Sequence, residues 1–236
     1  GIAHALAAEG HNVVINSYTD NDEDHALADE ISKKHGNQTI YIQADMSKGE
    51  ECRALVSKAA DRFGHVDILV NNAGIQHVAA IEDFPPETWD RIIAINMSSS
   101  FHTMAAALPM MRENKWGRVV NIASDAGRVG SSGESVYAAC KGGIIAFTKT
   151  VARELARKGI QLNAVAPGPT DTPLLAQFAQ GDTGAKIAEG LKRAIPMKRL
   201  GQPSDYPGII CFLASDDAGF ITGQVISVSG GLSMHG

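Results

Sequence analysis

Only three cysteines occur in the 236 residues, Cys52, Cys140 and Cys211, and they are far apart, odd in number and in no metal-ligand spacing. A disulfide framework and a zinc site are both excluded as first readings, and small core filler is the expected role of each thiol. The histidines form no HExxH or other paired pattern, so no metal is expected. Long apolar runs are missing: the longest are strand-sized, and no charged-then-apolar leader opens the chain. No membrane partner and a cytoplasmic location are therefore expected. Positive charge is also in short supply, with 21 Lys and Arg against 26 Asp and Glu, and no basic stripe alternates with aromatics, which argues against a nucleic-acid partner. What the chain does have is a 44% hydrophobic content, enough for one well-filled core, and a single domain is expected over residues 1–236.

Six short apolar runs read as strands: 12–16, 39–43, 66–72, 117–123, 160–166 and 224–229. Near-continuous apolar character means burial on both faces, the mark of a parallel sheet between helix layers. Helical periods fill most of the intervals, so the fold class is α/β, a doubly wound Rossmann-type parallel sheet. Ser47 and Glu50 form a capping-box pattern ahead of a helix running to about Phe63, Pro86 suits a first helical turn, and Gly36 and Gly64 suit stops. From Thr170 to Arg199 the strand rhythm stops, leaving two helix-like pieces around Leu174–Ala179 and Ala185–Ala194. A substrate lid is expected there, at about 170–199. The chain opens on a helix end with no strand or glycine-rich turn before it, so the first, central strand is expected to be missing.

The stretch SVYAACKGG places Tyr137 and Lys141 four apart on one helical face. A nearby ammonium favours the phenolate and makes a phenol usable for proton transfer near neutral pH. Ser124 ends the strand VVNIAS, Asn96 stands in the helical run AINMSSSF, NNAG (Asn71–Gly74) follows one strand, and PGPTDT (Pro167–Thr172) follows another. In order and spacing these motifs resemble the short-chain dehydrogenase/reductase family over nearly the whole chain. The resemblance implies an NAD(P)-dependent oxidoreductase acting on CH–OH groups. Tyr137 would be the general acid/base and Ser124 would hold the reacting oxygen. Lys141 would lower the tyrosine pKa and hold the nicotinamide ribose, and Asn96 would organise a water leading from Lys141 to solvent.

The same resemblance assigns cofactor positions. Asp45, beside Met46 in QADMS, would bond the adenine amino group; Asn72, Ala73 and Gly74 would line the adenosine ribose; Pro167, Gly168 and Thr172 would face the nicotinamide. For Asp45 the alternative is a turn cap, and for NNAG a tight post-strand loop. The family's pyrophosphate turn, G-x-x-x-G-x-G, has no counterpart in the sequence, so binding of cofactor by the chain as written is expected to be poor. Ser17, flanked by Asn16 and Tyr18, stands at the first strand's end where NAD-dependent relatives hold an Asp. That leans toward NADP(H) over NAD(H), although no Arg follows it and Asp20, Asp22, Glu23 and Asp24 are close.

For substrate, Gln76 in NAGIQHVAAIEDFP matches a carboxylate-binding glutamine of 3-hydroxybutyrate dehydrogenases. Ala126, Glu134 and Pro169 replace the His, Lys and Trp of those enzymes. Two cation-capable groups are gone and an acid is gained. Other stretches, SDAGRVGSSGESVYAACKGG and PGPTDTPLL among them, are similar to dehydrogenases of cyclic hydroxyacyl-CoA esters, and IPMKRLGQP is similar to 3-oxoacyl thioester reductases. A hydroxyacyl thioester or cyclic secondary alcohol is therefore the expected substrate, with Arg128, Lys186, Lys192 and Arg193 available to a CoA phosphate. The alternatives are a 3-hydroxybutyrate-type hydroxyacid dehydrogenase and a non-catalytic dinucleotide-binding scaffold. By the same resemblance the helix carrying Ile144, Phe147 and Val151 and the one around 97–113 form a subunit interface of a homotetramer, while the apolar stripe by itself equally suits intrachain core.

Overall fold

The computed structural model describes residues 1–176 and 189–234. All six expected strands form: β1 (Val13–Ile15), β2 (Thr39–Tyr41), β3 (Ile68–Asn71), β4 (Gly117–Ile122), β5 (Ile160–Pro167) and β6 (Val225–Val228). Every ladder is parallel, in two groups, β1-β2 and β3-β4-β5-β6. The edges of β1 and β3 face one cavity, which is lined by Val13, Val14, Ile15, Ile68, Leu69 and Val70.

Helices lie on both faces because alternate strand residues point opposite ways. Val119 and Leu162 pack with Met104, Ala107 and Met111 of α5 (Ser99–Asn114) and with Val151 and Leu155 of α7 (Ser135–Leu155). Their neighbours Val120 and Val165 pack with Ile210 and Leu213 of the helix Pro207–Ala214. This double burial is what makes GRVVNI and IQLNAVA read as near-continuous apolar runs.

Helix α2 (Asp22–His35) carries a capping box that sequence reading passed over, with Asn21 Oδ1 accepting from Asp24 N–H at 3.0 Å. The box expected at Ser47 and Glu50 does not form. Helix α3 (Gly49–Phe63) starts after Lys48, which makes no side-chain cap, and Ser47 instead donates to Asp45 Oδ1 from its N–H at 2.9 Å and its hydroxyl at 2.7 Å. An Asp two residues back outcompetes the helix N-terminus for the same serine. Both expected glycine stops are left-handed, Gly36 at φ 71° and Gly64 at φ 89°. Pro86 opens α4 (Pro86–Ile93), which runs through a π-helical turn, Ala94–Ser98, into α5.

Within 170–199, Thr170 makes a parallel bridge to Gly201, Pro173–Ala176 is one helical turn, and residues 189–194 are helical. The rest of the expected helices at 174–179 and 185–194, including Lys186, lies outside the described residues.

One turn controls entry to β5. Gly159 has φ 75°, and a Cβ there would stand 2.0 Å from the Lys115 carbonyl oxygen, on the turn that feeds β4. Gly159→Ala should therefore lower stability by about 2 kcal/mol or more, read as a drop of roughly 4–8 °C in the thermal midpoint by circular dichroism. An unchanged midpoint would show that the two turns are not in contact.

Candidate active site

Ser124 leaves the carboxyl end of β4 directly into the short helix α6 (Ala126–Val129), and its Oγ accepts from Ala126 N–H at 3.2 Å. Tyr137 and Lys141 come from the first turns of α7, and all three residues line one cavity of about 1200 Å³. Lys141 is 3% exposed; its Nζ donates to the Ile122 carbonyl at 2.7 Å and lies 5.7 Å from the centre of the Tyr137 ring.

The expected lowering of the Tyr137 pKa by Lys141 does not occur here. Burial pushes the phenol up; a hydrogen bond from Ser124 opposes the shift, and the charge of Glu134 and then Cys140 add to it. Lys141 itself is pulled down to about 8, because burial disfavours its charged form. Desolvation thus dominates both groups, leaving a protonated phenol beside an ammonium that loses its charge only slightly above neutral pH. The arrangement is that of a proton donor, the Tyr137 phenol, beside a hydroxyl, Ser124, that can hold an oxygen atom.

Asn96 lies in the π-helical turn and is 2% exposed. Its Oδ1 accepts from Ile75 N–H at 3.1 Å, while its Nδ2 donates to the carbonyls of Ile75 at 2.8 Å and Ile92 at 3.2 Å. Both amide protons are thus held by protein carbonyls, while Oδ1 keeps one lone pair beyond its bond from Ile75. What Asn96 does is fasten the loop after NNAG to the α4–α5 junction. Behind it runs a polar chain that sequence reading did not find. Thr103 Oγ1 donates to Asn71 Oδ1 at 2.7 Å, Asn71 Nδ2 to Asn121 Oδ1 at 2.8 Å, and Asn121 Nδ2 to Thr148 Oγ1 at 2.9 Å. Asn121 within an apolar strand and Thr148 two turns beyond Lys141 were the available signals. The network ties the NNAG strand, the Ser124 strand and the Lys141 helix together.

Of the expected cofactor positions, Met46, Asn72, Ala73, Gly74, Pro167, Gly168 and Thr172 line the same cavity, along with Tyr137 and Lys141. Ser17 and Asp45 are not among the lining residues. Ser17 Oγ pairs with Thr19 Oγ1 at 3.1 Å, and the Asp45 carboxyl, held low chiefly by the Ser47 hydroxyl, caps its own turn, the alternative left open above. The loops fit a dinucleotide in two respects. Gly74 is a close-approach point, since a Cβ there would stand 2.8 Å from Asn96 Oδ1 and 3.5 Å from Lys141 Nζ, closing the space beside the ammonium. Lys141 has three donors and, among the described residues, one hydrogen-bond partner, which leaves it able to hold ribose hydroxyls.

At the other end Gln76, Ala126, Glu134 and Pro169 all line the cavity, with Val129, Leu174, Leu175, Leu191 and Leu232. Two of the cations expected to meet a phosphate have other partners. Arg128 Nη1 donates to the Val225 carbonyl at 2.9 Å and to Ser227 Oγ at 3.1 Å, and Lys192 pairs with Glu189 at 3.0 Å. Arg193 is exposed and not among the lining residues. Among the described residues no group of His, Cys, Asp and Glu is placed to hold a metal ion, and no helix is long and apolar enough to cross a membrane.

Comparison with known proteins agrees with this geometry. The family model described as enoyl-(acyl carrier protein) reductase matches residues 1–233. A D-beta-hydroxybutyrate dehydrogenase of Rhizobium meliloti (strain 1021) is 42% identical over 237 residues, covering 98% of this chain and 92% of that protein. A 3-oxoacyl-(acyl-carrier-protein) reductase of Staphylococcus epidermidis is 38% identical over 237 residues, covering 99% and 93%. A crystal structure described as a short-chain alcohol dehydrogenase from Sinorhizobium meliloti 1021 superposes with a TM-score of 0.90 at 33% identity, covering 98% of this chain and 90% of that one. The chain therefore belongs to the short-chain dehydrogenase/reductase family, NAD(P)-dependent oxidoreductases that interconvert secondary alcohols and ketones.

Proposed function

We propose that the substrate is a secondary alcohol or ketone with no free carboxylate, a hydroxyacyl thioester or a cyclic alcohol, and that Leu174, Leu175 and Leu191 lie against it. The observation that carries this reading is the charge of the cavity wall. Among the described residues lining it, Lys141 is the only lysine or arginine, and Glu134 adds a negative charge one turn before Tyr137. A carboxylate brought there would be desolvated beside a like charge with no cation to spare. The wall made by Val129, Leu174, Leu175, Leu191 and Leu232 suits an apolar acyl or ring body.

In the reduction a bound nicotinamide supplies the hydride. Ser124 holds the carbonyl oxygen, Tyr137 gives its phenolic proton to that oxygen and is left as phenolate until solvent returns a proton, and Lys141 would hold the ribose. NADP(H) is the preferred cofactor in this reading. The end of β1 presents Asn16 and Ser17 rather than a carboxylate, and two of the four nearby acids are tied locally: Asp24 by Thr19 Oγ1 at 2.7 Å and Asp20 by His25 at 2.7 Å. The enzyme works as a cytoplasmic homotetramer, with Phe101 on α5, 53% exposed, on a face for a second copy.

A second reading, a 3-hydroxybutyrate-type dehydrogenase, draws on Gln76 in the cavity wall and on the identity to the Rhizobium meliloti protein. Steady-state kinetics with NADPH and NADH decide between them. We expect kcat/KM for a 3-oxoacyl thioester or a cyclic ketone to exceed that for acetoacetate by at least about tenfold, a difference of ~1.4 kcal/mol in transition-state binding. Acetoacetate as the better substrate would overturn the proposal. Binding of cofactor without turnover of any ketone would favour a non-catalytic scaffold.

A further inference from the structure

We propose that Asp125 is a positioning residue for Ser124, acting through a relay of Ser227 and Arg128 that ties the end of β4 to β6. Asp125 follows Ser124 directly, is 4% exposed, and lines the cavity wall. Its backbone N–H donates to the Pro167 carbonyl at the end of β5 at 3.0 Å, and its own carbonyl accepts from Arg128 N–H at 2.9 Å and Val129 N–H at 3.0 Å. Its Oδ1 accepts from Ser227 Oγ on β6 at 2.7 Å.

Ser227 is in turn the meeting point of the relay. Its hydroxyl takes a hydrogen bond from Arg128 Nη1 at 3.1 Å and lies 3.0 Å from Ser233 Oγ. A cation on one side and a carboxylate on the other fix which way the Ser227 hydroxyl donates. The second carboxylate oxygen, Oδ2, is buried without a hydrogen-bond partner among the described residues. A buried carboxylate tied to a neighbouring strand has a role in fixing the backbone on which it stands.

That role follows from what Asp125 holds in place. The turn it starts carries Ala126, whose N–H is the donor to Ser124 Oγ at 3.2 Å. With one lone pair of the hydroxyl held there, its proton is left to point away, toward Tyr137 and a bound oxygen. The same turn carries Gly127, which lies so close to α7 that a Cβ would stand 2.6 Å from both Lys141 C and Gly142 N. Tilting the α6 turn therefore moves Ser124 relative to both Tyr137 and Lys141. A hydrogen-bonding residue displaced by a fraction of an ångström still binds ligands but reacts slowly.

This inference rests on Ser124 acting on the substrate oxygen, and Ser124→Ala is measured alongside for that reason. In the cofactor-competent enzyme, Asp125→Ala and Ser227→Ala should each lower kcat for ketone reduction roughly ten- to hundredfold, with KM for the cofactor changed by no more than about twofold. Asp125→Asn, which keeps an oxygen to accept from Ser227, should recover most of the loss. A merely structural role would move the thermal midpoint without this split and without this rescue. Should Asp125→Ala fail to fold, Ser227→Ala decides alone, since it removes the tie and leaves the carboxyl in place. Loss in Ser124→Ala with turnover retained in Ser227→Ala would overturn the proposal and leave the Ser124 assignment standing. Cofactor affinity falling together with kcat, or no recovery in Asp125→Asn, would also overturn it. Turnover retained in Ser124→Ala would remove the assignment and the proposal with it.

Discussion

Tyr137→Phe should lower the rate of ketone reduction by about 10²–10⁴-fold, the range that a positioned proton donor contributes. The substitution deletes one oxygen and keeps the ring, so the packing of α7 and the 5.7 Å approach of Lys141 Nζ to the ring centre are preserved. Only the group that gives up the proton is lost. Burial raises the phenol above its usual pKa of 10.0, so it is fully protonated at neutral pH, the state a reduction requires. In the oxidation direction the phenolate is needed, and the parent rate should climb with pH over the range in which the Phe variant shows no such limb. The measurements are single-turnover reduction at pH 7 and the pH profile of alcohol oxidation, with cofactor binding as the control. A variant within about tenfold of the parent, binding cofactor normally, would remove Tyr137 from the reaction.

The parts of this molecule that were legible in the sequence are those where one local pattern has one physical solution. Runs such as GRVVNI and IQLNAVA carry apolar residues on both faces, and burial on both sides is the way a strand uses them. Ser124, Tyr137 and Lys141 were legible because a strand end and one helix face bring them together without help from distant residues. The unread parts depend on contacts that spacing does not encode. Ser47 has the right sequence to cap α3, but Asp45 reaches it first. Lys141 is four residues from Tyr137, yet burial, set by the whole of the surrounding fold, governs both groups, pushing the phenol up and the amine down. Arg128 looked available to a phosphate because nothing local pairs it, whereas its partners lie some hundred positions away on β6. Asn121 and Thr148 meet across a strand and a helix, and only their incongruity in apolar surroundings marked them beforehand.

Lys141→Met should separate activity from stability. A cation 3% exposed is costly to fold around: burial draws its pKa from 10.5 down to about 8, and at 1.4 kcal/mol per unit that is roughly 3 kcal/mol against the folded state at neutral pH. The sign follows from proton counting. Below pH 8 the ammonium is charged in both folded and unfolded chains and the penalty is constant. Between about 8 and 10.5 the unfolded chain holds more protons than the folded one, so this group's contribution makes stability rise with pH. Methionine has a stem of similar length and no charge, which removes the penalty; against that, the Ile122 carbonyl loses the donor now at 2.7 Å, a cost of about 1–3 kcal/mol. Denaturant unfolding at pH 7 should therefore place the Met variant within about 2 kcal/mol of the parent, with the rise between pH 8 and 10.5 flattened. Turnover should fall by about 10²-fold or more, because the ammonium that would hold the ribose is gone. A variant that loses turnover only in proportion to its loss of folded protein would make Lys141 a packing residue. One that keeps near-parental turnover would remove the ammonium from the chemistry altogether.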